Sequence, residues 1–256
     1  MPLRPAPRRR FAMLIALGVI AVSVPTAPAL ARPWNSNDVA GTGRIKTDTR
    51  SLAAFHGVSM SLPGSVEIRL GNTESVTIET DDNLLPLIET VVENGTLKIR
   101  SSKRNLGLNS RHLKLVVQAR TVDQLALGGS GSIDAAVLKG ANLAVHLGGS
   151  GTIKVRNIDT DALTIDLGGS GELQVAEGRA GRLTLSIAGS GNADLGRLQA
   201  LSASVNIAGS GDATVVVRDR LDVAIVGSGD VNYYGDPTVN RSVMGSGSAT
   251  RQGPRR

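Results

Sequence analysis

The 256-residue sequence contains no cysteine. In an exported chain this excludes disulfides, so the fold must rest on packing and hydrogen bonds alone. It also excludes the lipid-modified cysteine of a lipoprotein. Aromatic residues are nearly missing: two Phe, two Tyr and one Trp. Beyond the first 31 residues only Trp34, Phe55, Tyr233 and Tyr234 remain. The core must therefore be aliphatic, and the stacking platforms used by single-strand binders are lacking. The three histidines, His56, His112 and His146, are far apart and form no i, i+4 pair and no His-x-His. No apolar run reaches the length of about 20 residues that a membrane span needs.

What is present at the start reads as an address. Arg4, Arg8, Arg9 and Arg10 form a basic segment, Phe11 to Val24 is an uncharged apolar run, and Ala29-Leu30-Ala31 is a small-x-small cleavage site. Together they predict a secretory signal peptide over residues 1–31. Arg8-Arg9 also suggests a twin-arginine signal. The sequence leaves Sec and twin-arginine export open, and likewise periplasmic and surface or extracellular locations. Removing the four leader arginines from the 28 basic residues leaves 24 against 22 acidic ones. Three of those bases, Arg251, Arg255 and Arg256, lie in a basic tail, 251–256. The charge is thus no footprint for nucleic acid, and none is expected as a partner.

The dominant feature is a beat. Gly-Ser-Gly recurs at residues 129–131, 149–151, 169–171, 189–191, 209–211, 227–229 and 245–247, at spacings of 20, 20, 20, 20, 18 and 18. A fixed period of this size marks a solenoid, in which each repeat buries its apolar face only on its neighbours. Aligned on the triplet, Leu143-Val145-Leu147, Leu163-Ile165-Leu167 and Leu183-Leu185-Ile187 fall in register, with polar residues between them. After the triplet come Ile153-Val155, Leu173-Val175 and Ala193-Leu195, and a third column holds Leu138, Ile158 and Leu198, interrupted by Gly178. Period-2 alternation means strands. The expected fold class is all-β, a right-handed parallel β-helix (β-solenoid) with coils of about 20 residues rising about 4.8 Å each. A leucine-rich repeat would need an Asn or Cys column and a helical return, and a propeller blade about 40 residues.

The triplet itself reads as a corner. Glycine permits positive φ and close backbone approach, and the serines form a column able to hydrogen-bond along the stack. A phosphate loop would need a Lys and a helix start after the glycines, and strands follow here. A calcium-binding roll would need a nine-residue repeat with an Asp column.

Ahead of the coils, residues 32–50 read as a linker or lead-in, rich in Pro, Asn and Gly. Residues 51–127 form an N-terminal β segment with alternation at Val58-Met60-Leu62, Val66-Ile68-Leu70, Val76-Ile78 and Leu113-Leu115-Val117. Leu84 to Glu89 suggests one helical turn, and Asn94-Gly95 a hairpin. Residues 128–250 are the coils. Residues 51–127 and Tyr233 onward are expected to close the two ends.

Candidate chemistry is sparse. His146 falls beside Asp166 one coil on, which invites a catalytic reading, yet no third partner is evident and a polar pair on a solvated face suffices. Asp134, Asp194, Asp212 and Asp230 could line one flank. No catalytic, cofactor-binding or metal-binding residue is assigned and no cofactor is expected.

The motifs Phe55-His56-Gly57-Val58, Pro63-Gly64-Ser65-Val66-Glu67-Ile68, Asp81-Asp82-Asn83-Leu84-Leu85-Pro86 and Glu93-Asn94-Gly95-Thr96-Leu97, leading into Gly-Ser-Gly coils, resemble the bacterial family called putative auto-transporter adhesin, head GIN domain. The resemblance spans about residues 51 to 250. It implies an exported repetitive β-fold with an adhesion-like role and transfers no catalytic residues. The translocator barrel of an autotransporter is not expected in this chain. The reading that follows is an exported, non-enzymatic binding, adhesion-like or structural module of the cell envelope. Its partner would be an envelope protein or glycan, and self-association is possible. The alternative is a carbohydrate-active enzyme on a β-helix scaffold.

Overall fold

The computed structural model describes residues 38–254. The leader 1–31, residues 32–37 and the last two residues of the tail lie outside it. Strands β1 (Val39–Ala40) and β2 (Ile45–Ser51) open the described chain. β3 (Gly57–Met60) and β4 (Ser65–Leu70) form two sides of a first rung. Then come β5 (Ser75–Asp81), a single 3-10 turn at Leu85–Leu87, β6 (Ile88–Glu93) and β7 (Thr96–Ser101). β8 (Leu108–Asn109), β9 (Lys114–Ala119) and β10 (Gln124–Gly129) complete the non-repeating part. Each of β11 (Ser132–Gly149), β12 (Thr152–Gly169), β13 (Glu172–Gly189), β14 (Asn192–Gly209) and β15 (Asp212–Gly227) is one coil bent at its corners. β16 (Asp230–Tyr234), β17 (Thr238–Gly245) and β18 (Ser248–Arg251) end the stack.

The parallel β-solenoid is present, and its coils pair residue for residue at the sequence period. Ile153 lies beside Leu173, Ile158 beside Gly178 and Ile165 beside Leu185, so each coil has three sides. The shortened coil loses residues at the corner between the second and third sides, where the register jumps from Leu195 to Gln199, and regains one at the next corner, between Ala200 and Ser202. Strands on the first and second sides stay in place.

Side-chain alternation generates the core. On the first side one inward column runs Leu97, Val58, Leu125, Val145, Ile165, Leu185, Val205 and Val223. All eight are buried. Burying each such side chain is worth about 1.5–3 kcal/mol, and the column is continuous through repeating and non-repeating parts. It ends at Arg241, which takes the next inward register position, beside Val223, in the last rung.

The corners explain the triplet. Gly169 has φ +106, and a Cβ built on it would lie 2.5 Å from the carbonyl oxygen of Gly149 one coil below. That carbonyl accepts the amide of Ser170 at 2.9 Å, so the coils are stitched by backbone at the corner. The expected serine ladder is therefore one of amides. Among the described residues the column's hydroxyls make no hydrogen bond, and they point into solvent.

The order of rungs differs from the order of the chain. On the first side the strands run β6-β7-β3-β10-β11, and on the second β2-β5-β9-β4-β11. The chain lays its first rung, builds β7 and β9 beneath it, and then steps over it through Arg120–Asp123. The outermost N-terminal strands are antiparallel: β6 to β7 through Asn94-Gly95, both with positive φ, and β2 to β5 to β9. Residues 45–50 of the expected lead-in are thus strand. Ile45–Ser51 shows no apolar alternation because it pairs by backbone at an edge and buries little.

The Asp81-Asp82-Asn83 motif fastens residues 40–44. Asp81 is buried, accepting the Gly43 amide and the Ser110 hydroxyl, each at 2.6 Å. Asp82 accepts from Thr42 at 2.6 Å, and Asn83 donates to the Ala40 carbonyl at 2.8 Å. The Ser110 hydroxyl, and to a lesser degree the Gly43 amide, hold the Asp81 carboxyl below its ordinary range against the opposing effect of burial.

Candidate binding groove

The outward positions of the second side form a column that sequence reading had only in part. Glu67, Asp134, Lys154, Gln174 and Asp194 occupy successive rungs in register. Lys114 sits one rung below Glu67, beside Ser65. At the corner with the third side, Ala136 and Ala176 stand on the coils below and above Arg156. These small residues leave an open groove of about 680 Å³, lined also by Arg197. Exposed Asp134, Lys154 and Arg156 project along it.

Its charges are unevenly paired. Arg69 clasps Glu67 in two parallel hydrogen bonds of 2.7 and 2.9 Å. Those bonds, aided by the field of Arg69, Lys114 and Arg156, hold the Glu67 carboxyl below its ordinary range. Asp194 accepts the Gly196 amide at 3.0 Å. Lys114, Lys154, Arg156 and Arg197 make no side-chain hydrogen bond or ion pair among the described residues. The third side behaves differently: Asp159 binds Arg179 at 2.7 Å and Lys139 at 3.6 Å, so both of these cations have a partner.

The four carboxylates expected along one flank divide. Asp134 and Asp194 line the groove. Asp212 and Asp230 serve the stack instead: Asp212 accepts the Asp230 amide at 3.0 Å, and Asp230 the Ser248 amide at 2.8 Å. His146 does meet Asp166, with Nδ1 3.0 Å from Oδ2 and both side chains about half exposed. The other histidines make similar pairs, His56 with Asp123 at 2.8 Å and His112 with Glu79 at 2.6 Å. His56–Asp123 braces the step over the first rung, since the Asp123 amide also donates to the His56 carbonyl at 2.9 Å. Tyr233 lies on the inward register and packs against the core near the C-terminal end. Among the described residues no group of three His, Asp or Glu could hold a metal ion, and no helix is long and apolar enough to cross a membrane.

These features define a parallel β-solenoid closed at its N-terminal end by a non-repeating cap. The family described as putative auto-transporter adhesin, head GIN domain, matches residues 54–237, and the chain belongs to that family. Among solved structures it is similar to a putative adhesin from Bacteroides fragilis, at 23% identity and TM-score 0.78, covering 83% of this chain and 99% of that one. A putative lipid binding protein from Parabacteroides distasonis matches at 27% identity and TM-score 0.66, covering 84% and 99%. A putative adhesin from Parabacteroides merdae matches at 20% identity and TM-score 0.73, again covering 84% and 99%. No curated protein matches the chain. A binding or adhesion-like role accords with these relatives.

Proposed function

We propose that the chain is an exported, non-enzymatic binding module of the bacterial cell envelope, working in the periplasm or at the surface, with the second-side groove as its contact face. The observation that carries this reading is the set of four unpaired cations on a rigid, fully paired sheet. Charges left without partners on a preorganised surface are available to a ligand at little ordering cost. The leader-type sequence at residues 1–31 and the adhesin-like family support export and attachment. Lipid binding is named for one structural neighbour; the side chains projecting along this groove are charged or polar, which suits a hydrated ligand over acyl chains.

The purified protein, incubated with envelope fractions of its own cells, is expected to be retained saturably on envelope material. Absent or non-saturable retention would overturn the reading. The carbohydrate-active enzyme remains the second reading on the strength of the His146–Asp166 pair. Polysaccharide cleavage abolished by His146→Ala or Asp166→Ala would establish it in place of the first.

A further inference from the structure

We propose that the groove binds an acidic polysaccharide laid along the solenoid axis. The proposal rests on the binding-module reading and adds the class of ligand. The groove spans six rungs, from β9 to β14, or about 24 Å at the inter-strand spacing. Its cations stand at three stations. Lys114 is at the bottom, Lys154 and Arg156 lie three rungs up, and Arg197 two rungs further. Glu67, Asp134 and Gln174 stand between the stations, Glu67 already clasped by Arg69, and Asp194 shares a rung with Arg197.

This alternation selects among polyanions. A polyphosphate offers acceptors only, so Asp134 and Asp194 would repel it and gain nothing. An acidic polysaccharide presents carboxylate or sulfate groups separated by sugar hydroxyls. Its anions suit the lysines and arginines, with the guanidinium forks matched to planar carboxylates. Its hydroxyls can donate to Asp134 and Asp194 and exchange either kind of hydrogen bond with Gln174. A nucleic-acid strand would call for aromatic stacking, and no aromatic residue lines the groove. An acidic peptide would bind by adding a strand to an open edge or by filling side-chain pockets. The strands under the groove are already paired on both sides, leaving no backbone edge. Ala136, Ala176 and the exposed stems of Lys154 and Arg156 offer a channel in place of pockets.

The test is affinity electrophoresis and calorimetry of the whole protein against polygalacturonate, dextran, polyphosphate and polyglutamate. Polygalacturonate is expected to bind, more weakly as salt rises, and dextran to leave mobility unchanged. Lys154→Ala with Arg156→Ala should weaken polygalacturonate binding at least about tenfold, the loss of one or two charged hydrogen bonds. Both side chains are exposed, so the melting temperature should hold. Arg197→Ala gives a second reading at the far station, and Arg179→Ala on the third side should change affinity less than about twofold, as for a screened surface pair. Unchanged binding in the double variant, or tighter binding of polyphosphate or polyglutamate, would overturn the assignment. So would a lack of polygalacturonate binding at low salt. If the protein is still retained saturably on envelope material in that last case, only the ligand class fails; if retention is lost too, both readings fail.

Discussion

The cap, residues 38–123, and the coils, residues 124–254, share one aliphatic core but are held by different means. In the coils, backbone ladders and glycine corners do the work, and β11 to β14 repeat one another residue for residue before β15 shortens. In the cap, side chains do it: Asp81, Asp82 and Asn83 fasten the opening strand. Arg50 donates to the carbonyls of Leu85 and Ile88 and to the Thr90 hydroxyl. A solenoid can propagate by repetition, but it cannot end that way. An unfinished edge would invite pairing with another chain, and closing it requires residues that break the repeat.

The sharpest way to break this comparison is to substitute corner glycines. Gly169→Ala places a Cβ 2.5 Å from the Gly149 carbonyl at φ +106. Strain and overpacking together should lower stability by about 2–5 kcal/mol. Gly129 has φ +95, but the corner of the rung beneath it, residues 61–64, runs clear of it, and nothing lies within 4 Å of its Cβ position. Gly129→Ala should therefore lose only the conformational term, about 1–2 kcal/mol. Urea denaturation of both variants measures the gap. Equal losses would mean that φ, and not the neighbouring coil, dictates glycine.

The contrast also governs what could be read from sequence. The coils were legible because stacking in register turns a three-dimensional contact into a fixed offset along the chain, as for His146 and Asp166 or the Leu138, Ile158 and Leu198 column. The cap was legible only locally. Alternation marked β3, β4, β5 and β9, and Asn94-Gly95 marked the hairpin, but nothing local says that β7 and β9 slide beneath the first rung. The groove was missed for that reason. Lys114 and Glu67 join Lys154 and Arg197 only once β9 and β4 are stacked under β11, and the expected flank held just Asp134 and Asp194 of its charges. A signal was available in part: Lys154, Gln174 and Asp194 fall at offsets of 20.

A second test separates the two regions by pH. Asp81 is depressed by its hydrogen bonds, so it contributes stability at pH values above about 4, the ordinary carboxylate range. That contribution is lost as pH falls through the lower, folded-state value. The depressed carboxylates of the coils, Asp159, Asp219 and Asp222, take their shift first from exposed arginines, Arg179, Arg218 and Arg220. Solvent screens those pairs and makes them weak contributors. Asp81→Asn should lower the melting temperature at pH 7 and flatten its fall between pH 4 and pH 2. Asp159→Asn should leave both nearly unchanged. A steep acid limb surviving in Asp81→Asn would move the acid sensitivity from Asp81 to other depressed carboxylates, of which the cap also holds Asp82, Glu67 and Glu93.

The smallest expected effect compares the two ends. Each carries an arginine at an inward register position: Arg50 opposite buried Val76, and Arg251 opposite Tyr233. Arg50 is the more enclosed, with its side chain 26% exposed and four acceptors including Asp48. Its removal strands two carbonyls and should cost about 1–3 kcal/mol. Arg251 is 45% exposed and among the described residues meets the Gly235 carbonyl and exposed Asp236, so Arg251→Ala should cost at most about 1 kcal/mol. The last rung can tolerate that loss because it is already half solvated, with Val243 and Met244 exposed and Arg241 standing where the core column stops. Matching losses at both ends would show that the C-terminal rung is as firmly closed as the cap, and the asymmetry drawn from their hydrogen bonds would fall.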